Sequence, residues 1–153
     1  MLTLEVLLYP GLLMVLFILM VFLIPRSDLR YYLPYGIVLG GLMDVVLTWL
    51  FQDIFKVIKF TNLGMFHCSG QTVFSPLGWT LVITLYLYLW PKSGGLKYAY
   101  TVTWSVLAVA FGQLLANVGL FQYVPWFYPI PLFFVLLGQF VFAVWIFQRS
   151  KVN

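Results

Sequence analysis

The stretch LPYGIVLGGLMDVVLTWLF, residues 33–51, decides the fold of this chain. It is a continuous apolar run with a single carboxylate, Asp44. At about 1.5 Å per residue, a helix of this length spans most of a hydrocarbon core that is roughly 30 Å thick. A charge near the middle of a membrane costs at least about 2.5 kcal/mol even on a lenient insertion scale. The run therefore predicts a transmembrane helix that carries one energetically costly polar group.

Four further apolar runs accompany this one. Hydrophobic residues make up 63% of the chain and charged residues 8%, against roughly 25% charged in a soluble domain. The first run lacks the basic start and the cleavage site of a signal peptide, so we interpret it as a retained helix. We predict a single all-α transmembrane domain over residues 1–153, an integral bundle of five transmembrane helices at residues 6–24, 33–51, 73–90, 98–121 and 130–148.

The basic residues set the predicted orientation. Six lie on one side of the five spans and two on the other: Arg26, Arg30, Lys92, Lys97, Arg149 and Lys151 against Lys56 and Lys59. The positive-inside rule then places the N-terminus outside and the C-terminus in the cytoplasm. The net charge of +4 does not indicate a nucleic-acid partner, because the basic residues flank apolar runs instead of forming one stripe.

The loop between the second and third spans is the only long one. Its first part places Ile54, Phe55 and Ile58 on one helical face, with Lys56 and Lys59 elsewhere. That spacing predicts a short interfacial helix lying on the membrane surface. The second part of the loop has the glycine and polar content of irregular structure.

Four polar residues within the spans form a candidate site: Asp44, Gln113, Asn117 and Gln139. Counted along their helices, Asp44, Gln113 and Gln139 fall at similar depth, and Asn117 shares a helix face with Gln113. We therefore predict that they meet in the bundle interior, where Asp44, without a nearby cation, is a largely neutral acid that donates to an amide. One hypothesis is that Asp44 binds a proton, a cation or a polar ligand group. The other is an interhelical clasp, with about 0.6 kcal/mol per contact.

Small residues recur at four-residue spacing on two of the predicted helices: Gly36 and Gly40 on the second, and Ala108, Gly112 and Ala116 on the fourth. Stripes of this kind let helix backbones approach closely in a membrane. We expect the second and fourth helices to pack together, which would also bring Asp44 toward Gln113.

Other reactive residue types give no recognisable site. Cys68 is the only cysteine and His67 the only histidine, whereas a zinc site normally takes three or four protein ligands and bis-histidine haem needs a second histidine. No serine or acidic residue has the partners that nucleophilic catalysis requires. We predict no metal, no cofactor and no catalytic residues, and hence a non-enzymatic protein.

The chain resembles an uncharacterised family of small multi-pass membrane proteins from Bacillus- and Clostridium-type Firmicutes. The resemblance rests on the order of short features: Tyr31-Tyr32-x-Pro34, then Gly40 and Asp44 within the second span, Pro91 in a short basic turn, and Arg149 at the end of the last span. It implies a bacterial plasma-membrane location and no assigned reaction. The fourth span of that family often has an acidic residue where this chain has Gln113 or Asn117.

Three functional hypotheses follow from these features. The first is a packing or accessory subunit in the lipid bilayer, either a homo-oligomer or a partner of other membrane protein subunits, because small-residue stripes suit helix docking. The second is a small transporter or channel component whose polar site lies around Asp44. The third is a membrane subunit that binds a cofactor or a lipid.

Overall fold

The computed structural model describes residues 4–61, 67–68 and 70–151, and the chain is mostly helical (77%). The described part contains five helices, named here α1 (Leu4–Leu23), α2 (Arg26–Ile54), α3 (Phe74–Tyr88), α4 (Gly94–Asn117) and α5 (Ile130–Ser150). It also contains four short strands, β1 (Ile58–Phe60), β2 (His67–Cys68), β3 (Gln71–Thr72) and β4 (Phe121–Tyr123).

Three helices, α2, α4 and α5, are long and apolar enough to cross a membrane. The apolar part of α1, Leu7–Leu23, and the whole of α3 are shorter; the 15 residues of α3 extend over about 22 Å. Large apolar side chains are nevertheless exposed on the outer face of every helix, among them Phe22, Leu42, Leu77, Val106 and Phe134. An apolar outer surface of this extent suits lipid and indicates association with a membrane.

Helix α2 is not a uniform α-helix. Its winding changes along its length, from α over Arg26–Tyr35 to π over Gly36–Leu42, α over Met43–Trp49 and π over Leu50–Ile54. Most π-helical segments are single-turn insertions, and they are frequent at functional sites. Asp44 thus lies in a short α segment between two wider π segments.

The closest helix contact joins α2 to α3 through Gly36, Gly40 and Gly41. A Cβ atom on Gly40 would lie 2.7 Å from the carbonyl carbon of Trp79 and would collide with its oxygen, and one on Gly36 would collide with the hydroxyl of Thr84. Absent side chains therefore let the two backbones touch. The expected close packing of the second and fourth helices is wrong, because the stripe on α2 faces α3.

An aromatic cluster fills the centre of the bundle between α3, α4 and α5. Phe140 and Tyr86 are fully buried, and their ring centroids lie 4.7 Å apart. The ring of Tyr100 stacks on Tyr86 at 5.2 Å, and its hydroxyl donates to the Tyr86 carbonyl oxygen at 3.0 Å. The hydroxyl groups of Tyr86 and Thr101 are 3.0 Å apart, so the polar tips of these rings have partners.

The predicted interfacial helix is wrong. Helix α2 continues to Ile54, and Lys56 then adopts a φ of 54°, a left-handed conformation that ends a right-handed helix. The chain next forms β1, which pairs antiparallel with β4 through Ile58 opposite Tyr123 and Phe60 opposite Phe121. The connector after α2 and the connector after α4 therefore lie together at one end of the bundle, called here the strand end.

The opposite end is built from aromatic contacts. The ring of Tyr32 lies 5.4 Å from that of Tyr88 and 5.3 Å from that of Phe147, which brings α2, α3 and α5 together. The guanidinium of Arg149 lies 4.5 Å above the ring of Trp145. Aromatic and basic side chains in this combination are typical of a membrane interface.

Candidate binding cavity

A cavity of about 410 Å³ lies between the helices, in the half of the bundle next to the strand end. All five helices and the strands β1 and β4 contribute to its lining, which is mostly aliphatic and aromatic. Its size falls within the range of small-molecule sites, about 300 to 1,000 Å³, and such sites combine apolar walls with a few polar groups. The polar groups of this cavity are therefore its candidate functional residues.

Asp44 is the carboxylate of the cavity, and its side chain is 7% exposed. The Ser75 hydroxyl, at the start of α3, donates to its Oδ2 atom at 2.8 Å. Thr48, one helical turn after Asp44, also interacts with the carboxylate through its hydroxyl. Within the described part of the chain, the lining includes no lysine, arginine or histidine. Hydroxyl groups thus orient this carboxylate, and no described cation neutralises it.

Gln139 lies on the wall that α5 contributes to the same cavity. Its side chain is 3% exposed, and its Nε2 atom has no hydrogen-bond partner among the described residues. A buried donor without a partner costs about 1 to 3 kcal/mol, and such a group in a native structure calls for an explanation. An acceptor atom of a bound molecule would supply the missing partner.

The structure brings together only part of the predicted polar site. Asp44 and Gln139 line one cavity, whereas Gln113 and Asn117 do not contribute to its lining. The Gln113 Nε2 atom instead donates to the Asn117 Oδ1 atom at 2.6 Å on an exposed part of α4. These two amides, one turn apart on the same helix, thus pair with each other and not with Asp44.

The small residues of α4 serve the cavity. Ala108 and Gly112 belong to its lining and Ala116 does not. A Cβ atom on Gly112 would lie 2.5 Å from the Tyr123 hydroxyl oxygen, so the glycine makes room for that phenol. Burial raises the pKa of Tyr123, and Tyr128, stacked on it at 4.9 Å, raises it further. Tyr123 therefore stays neutral at neutral pH and offers the cavity a hydroxyl group.

Four hydroxyl residues of the site were not among the predicted residues: Tyr9, Thr48, Ser75 and Tyr123. Thr48 lies four residues after Asp44, and this spacing alone could have identified it. Tyr9, on α1, interacts with Ser75, but both residues belong to other helices than Asp44. Only the packing of α1 and α3 against α2 brings them to the carboxylate.

His67 and Cys68 lie in β2, which pairs with β3 through His67 opposite Thr72 and Cys68 opposite Gln71. Their side chains lie outside the described residues. Elsewhere in the described chain, no group of three or more histidine, cysteine, aspartate or glutamate side chains comes together. The expectation that the protein holds no metal stays a prediction.

Comparison with known proteins assigns no function to this chain, so the proposed function rests on the geometry of the cavity. No protein-family model, no curated protein and no solved structure matches this chain. The cavity lined by Asp44 and Gln139 is the candidate functional site of the described chain.

Proposed function

We propose that all five helices cross the bacterial plasma membrane, with the N-terminus outside and the C-terminus in the cytoplasm. Exposed apolar side chains on all five helices support this proposal, as does the meeting of the two connectors at the strand end. The asymmetry of the basic residues supports the orientation. The short α3 reaches both faces if the bilayer thins locally or if flanking side chains extend to the interface.

A cysteine-accessibility experiment tests this topology. In intact cells, a membrane-impermeant thiol reagent is expected to label Cys68, and to label Gln122→Cys in a Cys68→Ser background. Ser27→Cys and Ser93→Cys, in the same background, should react only after permeabilisation. All three introduced positions are exposed in the folded chain. An N-terminal tag that is accessible in intact cells would agree with an outside N-terminus. Labelling of both Cys68 and Ser93→Cys in intact cells would instead show that α3 does not cross the membrane.

The proposed function is binding of a small, largely apolar molecule within this bundle, which is the third of the sequence-based hypotheses. The carrying observation is the cavity of about 410 Å³ with Asp44 and Gln139 in its lining, together with the Gln139 Nε2 atom, which has no partner among the described residues. The packing-subunit hypothesis has less support, because Gly36 and Gly40 contact α3 and Ala108 and Gly112 face the cavity. Those small residues are not free to dock a partner.

Binding also accounts for the site better than transport does. A transported molecule needs a path from the polar site to both membrane faces, whereas the lining comes from the half of the bundle next to the strand end. The aromatic cluster, with fully buried Tyr86 and Phe140, lies on the side of the cavity away from the strand end. A cavity that is bounded by packed rings suits a molecule that is held rather than passed through.

Filling the cavity tests this function. Ala108→Phe places a ring in the cavity, and Ala110→Phe places the same ring on an exposed part of the same helix. Native mass spectrometry from mild detergent should show a small molecule retained by the wild type and by Ala110→Phe, and lost from Ala108→Phe. Equal retention by both variants would contradict binding in this cavity. The same spectra report the oligomeric state, for which either a homo-oligomer or a complex with other membrane protein subunits stays our prediction.

A further inference from the structure

The chemistry of the cavity specifies the head group of its ligand, if the protein binds a molecule there as proposed above. Asp44 is the only carboxylate among the described lining residues, and the hydrogen-bond donors beside it are hydroxyl groups, with Ser75 at 2.8 Å. Hydroxyl donors stabilise an ionised carboxylate without cancelling its charge. A ligand that supplies a positive charge would complete an ion pair in surroundings of low dielectric constant, where such a pair is strong.

The walls of the cavity favour the same class of molecule. Trp79, Trp104 and Phe111 line it together with Tyr9 and Tyr123. The faces of aromatic rings attract cations, most strongly where water is excluded. A carboxylate surrounded by aromatic rings and aliphatic side chains is suited to an organic cation that carries an apolar body.

Gln139 adds a second requirement. Gln139 lines the α5 side of the cavity, and its Nε2 atom is a buried donor without a described partner. An ammonium group has no acceptor to offer this atom. A hydrogen-bond acceptor on the ligand, such as an ether or carbonyl oxygen apart from its positive charge, would give this atom a partner.

We infer that the cavity binds a hydrophobic amine that also carries an acceptor oxygen. The protonated nitrogen binds the Asp44 carboxylate, Gln139 donates to the oxygen, and the apolar body contacts the aromatic walls. Two features of the cavity thus contribute separately to recognition, the charge of Asp44 and the donor of Gln139.

Two matched pairs of probes test the two contacts separately. The alcohol 4-phenoxybutan-1-ol differs from 4-phenoxybutylamine in lacking the positive charge, and 5-phenylpentylamine differs from it in replacing the ether oxygen by a methylene group. Binding is measured by quenching of tryptophan fluorescence in lipid nanodiscs, because Trp79 and Trp104 line the cavity. Empty nanodiscs and Ala108→Phe provide the background from partition into lipid.

The wild type is expected to bind 4-phenoxybutylamine at least about tenfold more tightly than the alcohol, as a charge-assisted hydrogen bond predicts. Asp44→Asn should abolish this preference, whereas Asp53→Asn, the same change at an exposed position of α2, should keep it. Gln139→Leu should weaken binding of the phenoxy amine several-fold and leave that of 5-phenylpentylamine unchanged.

Each contrary result has a distinct meaning. Equal or tighter binding of the alcohol by the wild type would overturn the amine assignment and leave the cavity as a binding site. Equal binding of the two amines by the wild type would overturn the role of Gln139. If the wild type binds no probe above the Ala108→Phe background, the amine assignment is overturned. Retention of a native molecule in the mass spectrum would in that case still support binding in the cavity. The wild-type comparisons decide the outcome even if Asp44→Asn does not fold.

Discussion

Replacing Gly40 by alanine is expected to destabilise the bundle by about 3 kcal/mol or more, the upper end of the cost of overpacking. The added Cβ atom would collide with the carbonyl oxygen of Trp79 and lie 2.7 Å from its carbonyl carbon. The obstacle is backbone, which cannot rotate away as a flexible side chain could. Helices α2 and α3 would have to separate, and the hydrogen bond between Ser75 and Asp44 joins these same two helices.

Gly138→Ala is the matched control, because a Cβ atom on Gly138 would meet no atom within 4 Å. This change should leave stability equal or slightly higher, since alanine is the better helix former by about 1 kcal/mol. The measurement is the midpoint of unfolding in mixed micelles with increasing sodium dodecyl sulfate, together with the monodisperse fraction in size-exclusion chromatography. Equal midpoints for the two variants would show that close contact between α2 and α3 is not required.

Hydropathy and proline residues predicted where helices lie, because lipid requires long apolar segments with internally bonded backbones. The last span was predicted at residues 130–148, and the structure has Ile130–Ser150. The fourth was predicted at 98–121, yet α4 runs over Gly94–Asn117. It begins after Ser93, which is extended, and ends before Gly119, whose φ is 75°. Serine is a preferred residue before the first turn of a helix, and a glycine with positive φ commonly follows the last turn.

Helix faces were harder to predict than helix positions. A helix that is apolar on all sides gives no periodic signal to show which face is buried. Similar depth along the helix therefore suggested that Gln113 meets Asp44, although Gln113 bonds to Asn117 instead. The partner of Asp44 is Ser75 on the neighbouring helix, and a single serine near a proline carries no sequence signal for this role.

The π-helical winding of α2 was also beyond prediction from spacing. The predicted stripe of Gly36 and Gly40 assumed 3.6 residues per turn. Over Gly36–Leu42 the turns are wider, and Gly36, Gly40 and Gly41 all face α3. In a regular α-helix, the adjacent residues Gly40 and Gly41 would not both face one neighbouring helix so fully. Local helix propensity does not indicate a π segment of 7 residues.

The second large effect is expected from Phe140→Ala. Phe140 is fully buried, and its ring contacts those of Tyr86, Trp79 and Trp104 at 4.7, 6.0 and 6.2 Å. Its removal leaves a void between α3, α4 and α5 that neither lipid nor water can fill well. We expect a loss of about 3 kcal/mol, the lower end of the range for this change in soluble proteins. The free energy of transferring the ring out of water does not add to this loss of stability, because the bundle is surrounded by lipid.

Phe134→Ala is the matched control, because Phe134 lies on the same helix and is 62% exposed. Lipid can occupy the space that its ring leaves, so stability should change by less than about 0.5 kcal/mol, as at an ordinary surface position. The same unfolding titration compares the two variants. Since Trp79 and Trp104 line both the void and the cavity, Phe140→Ala should also weaken retention of the bound molecule. Equal unfolding midpoints for Phe140→Ala and Phe134→Ala would contradict this prediction. They would show that the aromatic cluster is not a tightly packed boundary of the cavity.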